Sequence, residues 1–522
     1  MKRSLARLLL GSIVSIGAPF LVIAVSADVV PNHLFSDHMM LQQGQAVPVW
    51  GTADAGEKIT VTIEGQNKST VAKADGTWSV SLDPVWSAHP IEMTIAGDNT
   101  VVIHDVLVGE VWLCSGQSNM DFTLAKSKKR PYAGVTDFAK VVAAANDPQL
   151  RVYTTDWKLS PAPQQDTGGQ WVACTPQTAG GISAVGYYFG EELRKTLGEP
   201  IGLIICSRGG SSAQAWISRP ALSEDPNLHD LLAQFDKTAK LWSPADEQAE
   251  QDAQKQFKIE KDQAEAEGKP APTRPKIKSP YQDVKAPTAL FNGMIAPVIP
   301  YAIRGVIWYQ GESNIDHPEN YAFLMSALIR NWRSLWGQGN FPFIYVQLPN
   351  YQDPNDPTDD KTNWARLRDQ QASVLSLPNT SMVVTIDVGV KDVLHPPDKA
   401  DVGKRLALLA EKNVYHRDVV ASGPVFDTAT REGDTIRIHF TSVNGGLQMH
   451  GDQLNEFAIA DADGKWIPAE AKIDGDSVVV SDGAIKMPLA VSYAWSDAPV
   501  ASLFDGAGLP ARPFRFDLPP AK

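Results

Sequence analysis

Four short polar segments carry the residue types that nucleophilic catalysis needs, and each follows an apolar run that reads as a buried strand. The first is Cys114-Ser115-Gly116-Gln117-Ser118-Asn119-Met120, with Ser118 in a tight turn. The second is Ser207-Arg208-Gly209-Gly210-Ser211-Ser212, and the third Gln310-Gly311-Glu312-Ser313-Asn314. The fourth passes Asp387 and reaches Asp392-Val393-Leu394-His395-Pro396. A serine hydroxyl attacks a carbonyl only with a base in reach, a group that orients the base, and donors aimed at the developing oxyanion. Ser118 supplies the hydroxyl and His395 the imidazole. Asp392, three residues earlier in the same loop, is placed to hold Nδ1–H and leave Nε2 for the serine proton. Gly209 and Gly210 let backbone N–H groups approach a ligand closely, and Gln310 or Asn314 offers a side-chain donor. The G-x-S-x-G elbow is absent, because Asn119 and Met120 follow the serine.

These segments converge only if the runs before them share one sheet. Val111–Cys114, Ile201–Cys206, Gly305–Tyr309, Phe343–Gln347 and Met382–Ile386 are short and apolar, and helical stretches such as Val185–Leu197 separate them. That alternation predicts an α/β domain with a mostly parallel sheet, whose ligands bind at the carboxyl ends of the strands. Residues 28–105 read as all-β: Ile59, Val61 and Ile63 alternate with polar residues, and Asp75-Gly76 marks a hairpin. Residues 416–522 read the same way, with Ile436, Ile438 and Phe440 alternating and a turn at Asp474-Gly475. The α/β domain therefore spans 106–415. It is interrupted at about 224–286 by a charged, helix-prone excursion with a return through Pro270, Pro272 and Pro275. A lid over the site is the alternative use of that excursion.

Composition narrows the function. The 522 residues carry 47 Lys+Arg against 60 Asp+Glu, a net charge of −13, with 43% hydrophobic and 20% charged residues. Such an acidic, ordinary globular composition argues against a nucleic-acid binder. Three cysteines form neither a disulfide framework nor a zinc spacing, and Cys114 and Cys206 read as buried free thiols. Residues 1–27 have a basic start, an apolar run and Val25-Ser26-Ala27, the layout of a cleaved signal peptide for export to periplasm or medium. No later segment approaches the ~20 apolar residues of a membrane span. Three competing readings fit the same residues. One is a carbohydrate-binding protein with an inert central domain. Another is a glycosidase using Asp387 and Glu312. The third is a metal site on Asp392, His395 and His317.

The segments Gly109–Met120 and Gly305–Asn314, with Asp392-x-x-His395-Pro396, resemble the sialate O-acetylesterase-like group of SGNH hydrolases. The resemblance continues through Leu34-Phe35, Met40-Leu41-Gln42, Tyr493-Ala494-Trp495 and Gly508 to Phe514. It implies a three-layer α/β sandwich flanked by β-sandwich-like domains. It also implies a cofactor-free and metal-free serine esterase acting on an acetylated sugar or polysaccharide. By position, Ser118 is the implied nucleophile, His395 the base and Asp392 its acidic partner, with Glu312 competing for the last role. Gly210, ahead of Gly209, is the implied backbone oxyanion donor, and Gln310, ahead of Asn314, the side-chain donor. The resemblance does not choose among sialate, xylan, xyloglucan and pectin.

Overall fold

The computed structural model describes residues 28–270, 272–273, 279–354 and 362–519. The expected signal segment and part of the Pro-rich return lie outside the described residues. Seven strands of an 11-stranded sheet matter for chemistry: β1 (Thr100–Gly116), β2 (Asp147–Thr155), β3 (Gly169–Cys174), β4 (Ile201–Ser207), β5 (Gly305–Tyr309), β6 (Phe343–Val346) and β7 (Thr380–Val383). Their spatial order is β3-β2-β4-β1-β5-β6-β7. All pairs in that order are parallel except the β2–β3 edge hairpin, which is antiparallel.

Alternation of side chains across each strand explains why both faces are buried. Val111, Leu113, Ile204, Cys206, Val306 and Trp308 join one core, which the helix α3 (Tyr321–Trp336) closes with Leu324, Leu328 and Trp332. Trp112, Cys114, Leu203, Ile205, Ile307 and Tyr309 join the other. There the helices α2 (Ala184–Leu197) and α4 (Ala400–Asn413) supply Val185, Phe189, Leu193, Val402, Leu406 and Ala410. A fully buried aliphatic or aromatic side chain contributes roughly 1.5–3 kcal/mol, so these layers hold the strand ends rigidly. Cys114 and Cys206 are buried free thiols, as expected. Burial pushes both thiols up from their ordinary range.

The strand positions differ from expectation in three places. The expected boundary at 105/106 falls inside β1, whose first part pairs with Ile91–Ala96 and whose second part pairs with β4 and β5. The last strand ends at Val383, and Ile386 turns away into the core of the C-terminal strands. The β2–β3 hairpin was not foreseen, because β2 carries the polar Arg151 in its middle. Arg151 is buried there against Asp105, at 2.8 and 3.1 Å.

The flanking regions are β-rich as read. Ile59, Val61, Ile63, Ile436, Ile438 and Phe440 are all buried. The excursion forms two helices, His229–Lys240 and Pro244–Ala266, the second opened by a Ser243–Asp246 capping box. No residue of either helix lines the cleft described below, which removes the lid reading for these two helices. No helix among the described residues is long and apolar enough to cross a membrane.

Candidate active site

The chain builds outward from β1 in both directions, β2 and β4 on one side and β5 to β7 on the other, so the sheet has its switch point beside β1. That is where such sheets leave a crevice outside their carboxyl ends. Register makes the convergence quantitative: Gly116 pairs with Ser207 of β4 and with Tyr309 of β5. The three polar segments that follow therefore leave the sheet at one level. Gly116 has φ +138, and a Cβ there would lie 2.1 Å from the Tyr309 carbonyl oxygen. Only glycine lets β1 turn this sharply into α1 (Ser118–Asp121).

Ser118 is 7% exposed, at the floor of a cleft of about 780 Å³. Its hydroxyl donates to His395 Nε2 at 2.8 Å. The imidazole stacks on Tyr132, with ring centroids 4.6 Å apart and 28° between planes. Tyr132 is held in turn, its hydroxyl donating to Asp121 Oδ2 at 2.8 Å, while Asp121 Oδ1 accepts from Arg130 at 2.8 Å. Burial raises the Asp121 carboxyl against the opposing pull of Arg130. Burial, reinforced by the Lys399 cation, draws His395 down to about 4. The ring is thus neutral near pH 7, with Nε2 able to accept a proton.

The geometry of the base's acid differs from expectation. Val393 N–H donates to Val390 O at 2.9 Å, closing a turn whose tip carries Lys391 and an exposed Asp392. Among the described residues Asp392 makes no hydrogen bond or ion pair, so three-residue proximity does not become contact with Nδ1. Glu312 comes closer to the machinery: it is buried, lines the same cleft, and accepts from Asn119 Nδ2 at 2.5 Å through Oε1. Its Oε2 is buried without a partner among the described residues, and burial raises its carboxyl. Asp392→Asn is expected to leave kcat on p-nitrophenyl acetate within about threefold, the modest effect of an exposed charge. A hundredfold loss in that assay would restore Asp392 as the acid.

Gln310 and Asn314 are not aimed at the cleft. Gln310 is fully buried and donates to Ser211 O at 3.1 Å and Asn314 Oδ1 at 2.9 Å, while its Oε1 accepts from Tyr321 at 3.0 Å. Asn314 is engaged with Ala213 N–H and Gln214. Both brace the loops after β4 and β5, which corrects their expected role as oxyanion donors. Gly209 and Gly210 line the cleft, and neither N–H has a hydrogen-bond partner among the described residues. Gly209 is the nearer: a Cβ built on it would lie 3.6 Å from Ser118 Cβ and 3.3 Å from the Tyr132 hydroxyl. Gly210 faces Val284 instead.

The competing site readings lose their geometry. Asp387 is gripped by Arg405 at 2.7 and 2.6 Å and does not line the cleft with Glu312. His317 lies exposed beside Glu319, 3.4 Å away. Gln117, Asn119, Tyr132 and Lys399 join the site without a role assigned from sequence, as does Asp497, which reaches the cleft from the C-terminal region. Asp497 Oδ1 accepts from Trp364 N–H at 2.8 Å. Gln117 had a usable signal, since it stands next to the serine. Its Oε1 accepts from Gly311 and Ser313 N–H at 3.3 and 3.2 Å, tying the first segment to the third.

Comparisons with known proteins identify the family of the chain. A family model described as carbohydrate esterase, sialic acid-specific acetylesterase, matches residues 108–261 and 278–411. Mouse sialate O-acetylesterase is 29% identical over 92% of this chain and 92% of its own. The human enzyme is 28% identical over 92% and 91%. The crystal structure of a carbohydrate acetylesterase from Xanthomonas citri is 34% identical, with a TM-score of 0.78 over 94% of this chain and 100% of that one. Together these define a carboxylic ester hydrolase whose chemistry is O-deacetylation of carbohydrate. The chain belongs to the sialic acid-specific acetylesterase family of carbohydrate esterases.

Proposed function

We propose that this is an exported serine esterase with an SGNH-type three-layer core, which removes O-acetyl groups from sugars through an acetyl-enzyme. The observation that carries the reading is the 2.8 Å Ser118–His395 hydrogen bond on the floor of the cleft. Ser118 Oγ attacks the acetyl carbonyl while Nε2 takes its proton. The oxyanion forms beside the N–H of Gly209, with Gly210 behind it. His395 then gives the proton to the departing sugar oxygen, and a water activated by the same nitrogen hydrolyses the acetyl-enzyme. One well-placed oxyanion donor is typically worth ~10²–10³ in rate. The aromatic wall of Trp157, Tyr132, Tyr351 and Trp364 provides apolar faces for sugar rings, and the charged rim of Lys129, Arg208 and Asp353 provides polar contacts for their hydroxyls. Residues 1–27 supply the export signal.

Acetate release across a panel of O-acetylated sialic acid, xylan, xyloglucan and pectin tests the reading. Release from at least one sugar ester at kcat/KM above ~10⁴ M⁻¹s⁻¹, the ordinary range for an enzyme on its own substrate class, is the expected result. Release of reducing sugar without acetate would overturn it.

A further inference from the structure

Behind Ser118 and His395 lies a group of buried polar side chains that the ester chemistry does not touch. Asn119, next in the chain to Ser118, has no exposed surface. Its Nδ2 donates to Glu312 Oε1 at 2.5 Å and to the Leu394 carbonyl at 3.2 Å. Its Oδ1 accepts from Lys399 Nζ at 2.7 Å. Lys399, also without exposed surface, donates a further bond to the Pro396 carbonyl at 2.7 Å. Leu394 and Pro396 are the two neighbours of His395. The carbonyl of the residue before the base and that of the residue after it are thus each held by a side chain, and the two side chains are bonded to each other.

A fully buried lysine is an expensive choice for holding a loop, since desolvating an ammonium is costly and an apolar side chain of similar length would fill the space. Here its surroundings accept the charge. Nζ lies 4.8 Å from the Phe122 ring centroid and 5.6 Å from that of Tyr309, with the Glu312 and Asp398 carboxylates both favouring its charge. We infer that Asn119 and Lys399 form a latch that grips the backbone on both sides of His395, with Glu312 fixing the orientation of the Asn119 amide. In this arrangement Lys399 is a positioning residue for the base. The inference rests on the reading of Ser118 and His395 as nucleophile and base.

The latch also has an electrostatic consequence. Lys399 adds to burial in holding His395 down, while burial draws Lys399 itself to about 7. On the acid side of neutrality Lys399 is charged and opposes protonation of the imidazole. Other charged groups surround His395. Glu312 stands on the turn after β5, Asp392 and Asp398 on the base's own loop, and Asp353 and Asp497 on the rim. Lys129 and Arg208 lie across the cleft, and Asp121 sits under Tyr132. All of these stay in place when Lys399 alone is changed.

The test is Lys399→Met in the full chain, with Ser118→Ala measured in parallel on p-nitrophenyl acetate. The expected result is a fall in kcat of ~10–100-fold, the size seen when an orienting partner is removed, with KM within twofold. The acid limb of kcat/KM should also rise by about 1 pH unit as the like charge is lost. A kcat within threefold of wild type overturns the inference. A fall in kcat with an unmoved acid limb also overturns it, because loosened packing alone gives that pattern. Should circular dichroism show that Lys399→Met is unfolded, Asn119→Ala replaces it. That variant is expected to lose at least ~10-fold in kcat with its acid limb where the wild type has it, and wild-type kcat there is the overturning result. Turnover surviving in Ser118→Ala removes the nucleophile assignment itself. An inactive Ser118→Ala beside a fully active Lys399→Met removes only the latch.

Discussion

Ser118→Ala is expected to lower acetyl-ester turnover by ~10⁴–10⁶, the scale on which removal of a nucleophile acts, while the protein melts within a few degrees of wild type. The two halves of this result have separate causes. Among the described residues the Ser118 hydroxyl makes one side-chain hydrogen bond, to His395, and a single such bond contributes about 0.5–1.5 kcal/mol net. The rate effect is large because the nucleophiles buried along β1 and β4 are disabled. Ser115 is fully buried and donates to the Cys206 carbonyl at 2.6 Å. Cys114 and Cys206 are buried thiols whose protons burial holds on. Activity is read as p-nitrophenolate release and, on the best sugar ester, as acetate. A variant within tenfold of wild type on both would mean that another group attacks.

The contrast between what the chain announces and what it conceals follows from the range of the interactions. Short apolar runs at Ile201, Gly305 and Phe343 had to be buried strands, and β4, β5 and β6 begin at those residues. The expected helix from Val185 begins one residue earlier, where Ser183 accepts the N–H of Gly186 as an N-cap, and ends at Leu197 before Gly198 with φ +75. Ser118 and His395 were legible because a strand end and a histidine loop are local features, and the parallel register then brings them together. The partners of Gln310 were not legible. Ser211, Asn314 and Tyr321 consume its amide, and nothing in Gln-Gly-Glu-Ser says whether a glutamine faces a cleft or a core. Asp392 failed for a related reason, since sequence proximity gives reach but the Val390–Val393 turn sets direction. The bonds from Asn119 to Glu312 and to Lys399 span 193 and 280 positions. Contacts of that range follow from the assembled sheet and are invisible in any window of sequence.

The second large effect is expected at His395, and it separates the imidazole's chemistry from its place in the packing. His395→Ala should reduce kcat by ~10⁴ or more on an acetyl ester, as loss of the general base does when nucleophile and base act as a unit. The double variant Ser118→Ala/His395→Ala should then be no slower than the slower single variant, because either change removes the same proton transfer. The wild-type pH profile supplies the independent check. Free-enzyme groups govern kcat/KM, and the reaction needs the neutral imidazole. Burial first and Lys399 second hold His395 at about 4, so the imidazolium forms only at low pH. The expected profile is flat from neutrality down through pH 5 and falls by half as pH approaches about 4. An ordinary exposed histidine would halve the rate near 6.5. A half-maximal kcat/KM at pH 6 or above would mean that a carboxylate reaches Nδ1 in the working enzyme and holds the proton on the ring. Asp392→Asn would then lower that midpoint, whereas an exposed Asp392 with no contact to the imidazole leaves it where it is. The pH profile therefore decides between a serine–histidine pair and a triad closed by its loop carboxylate.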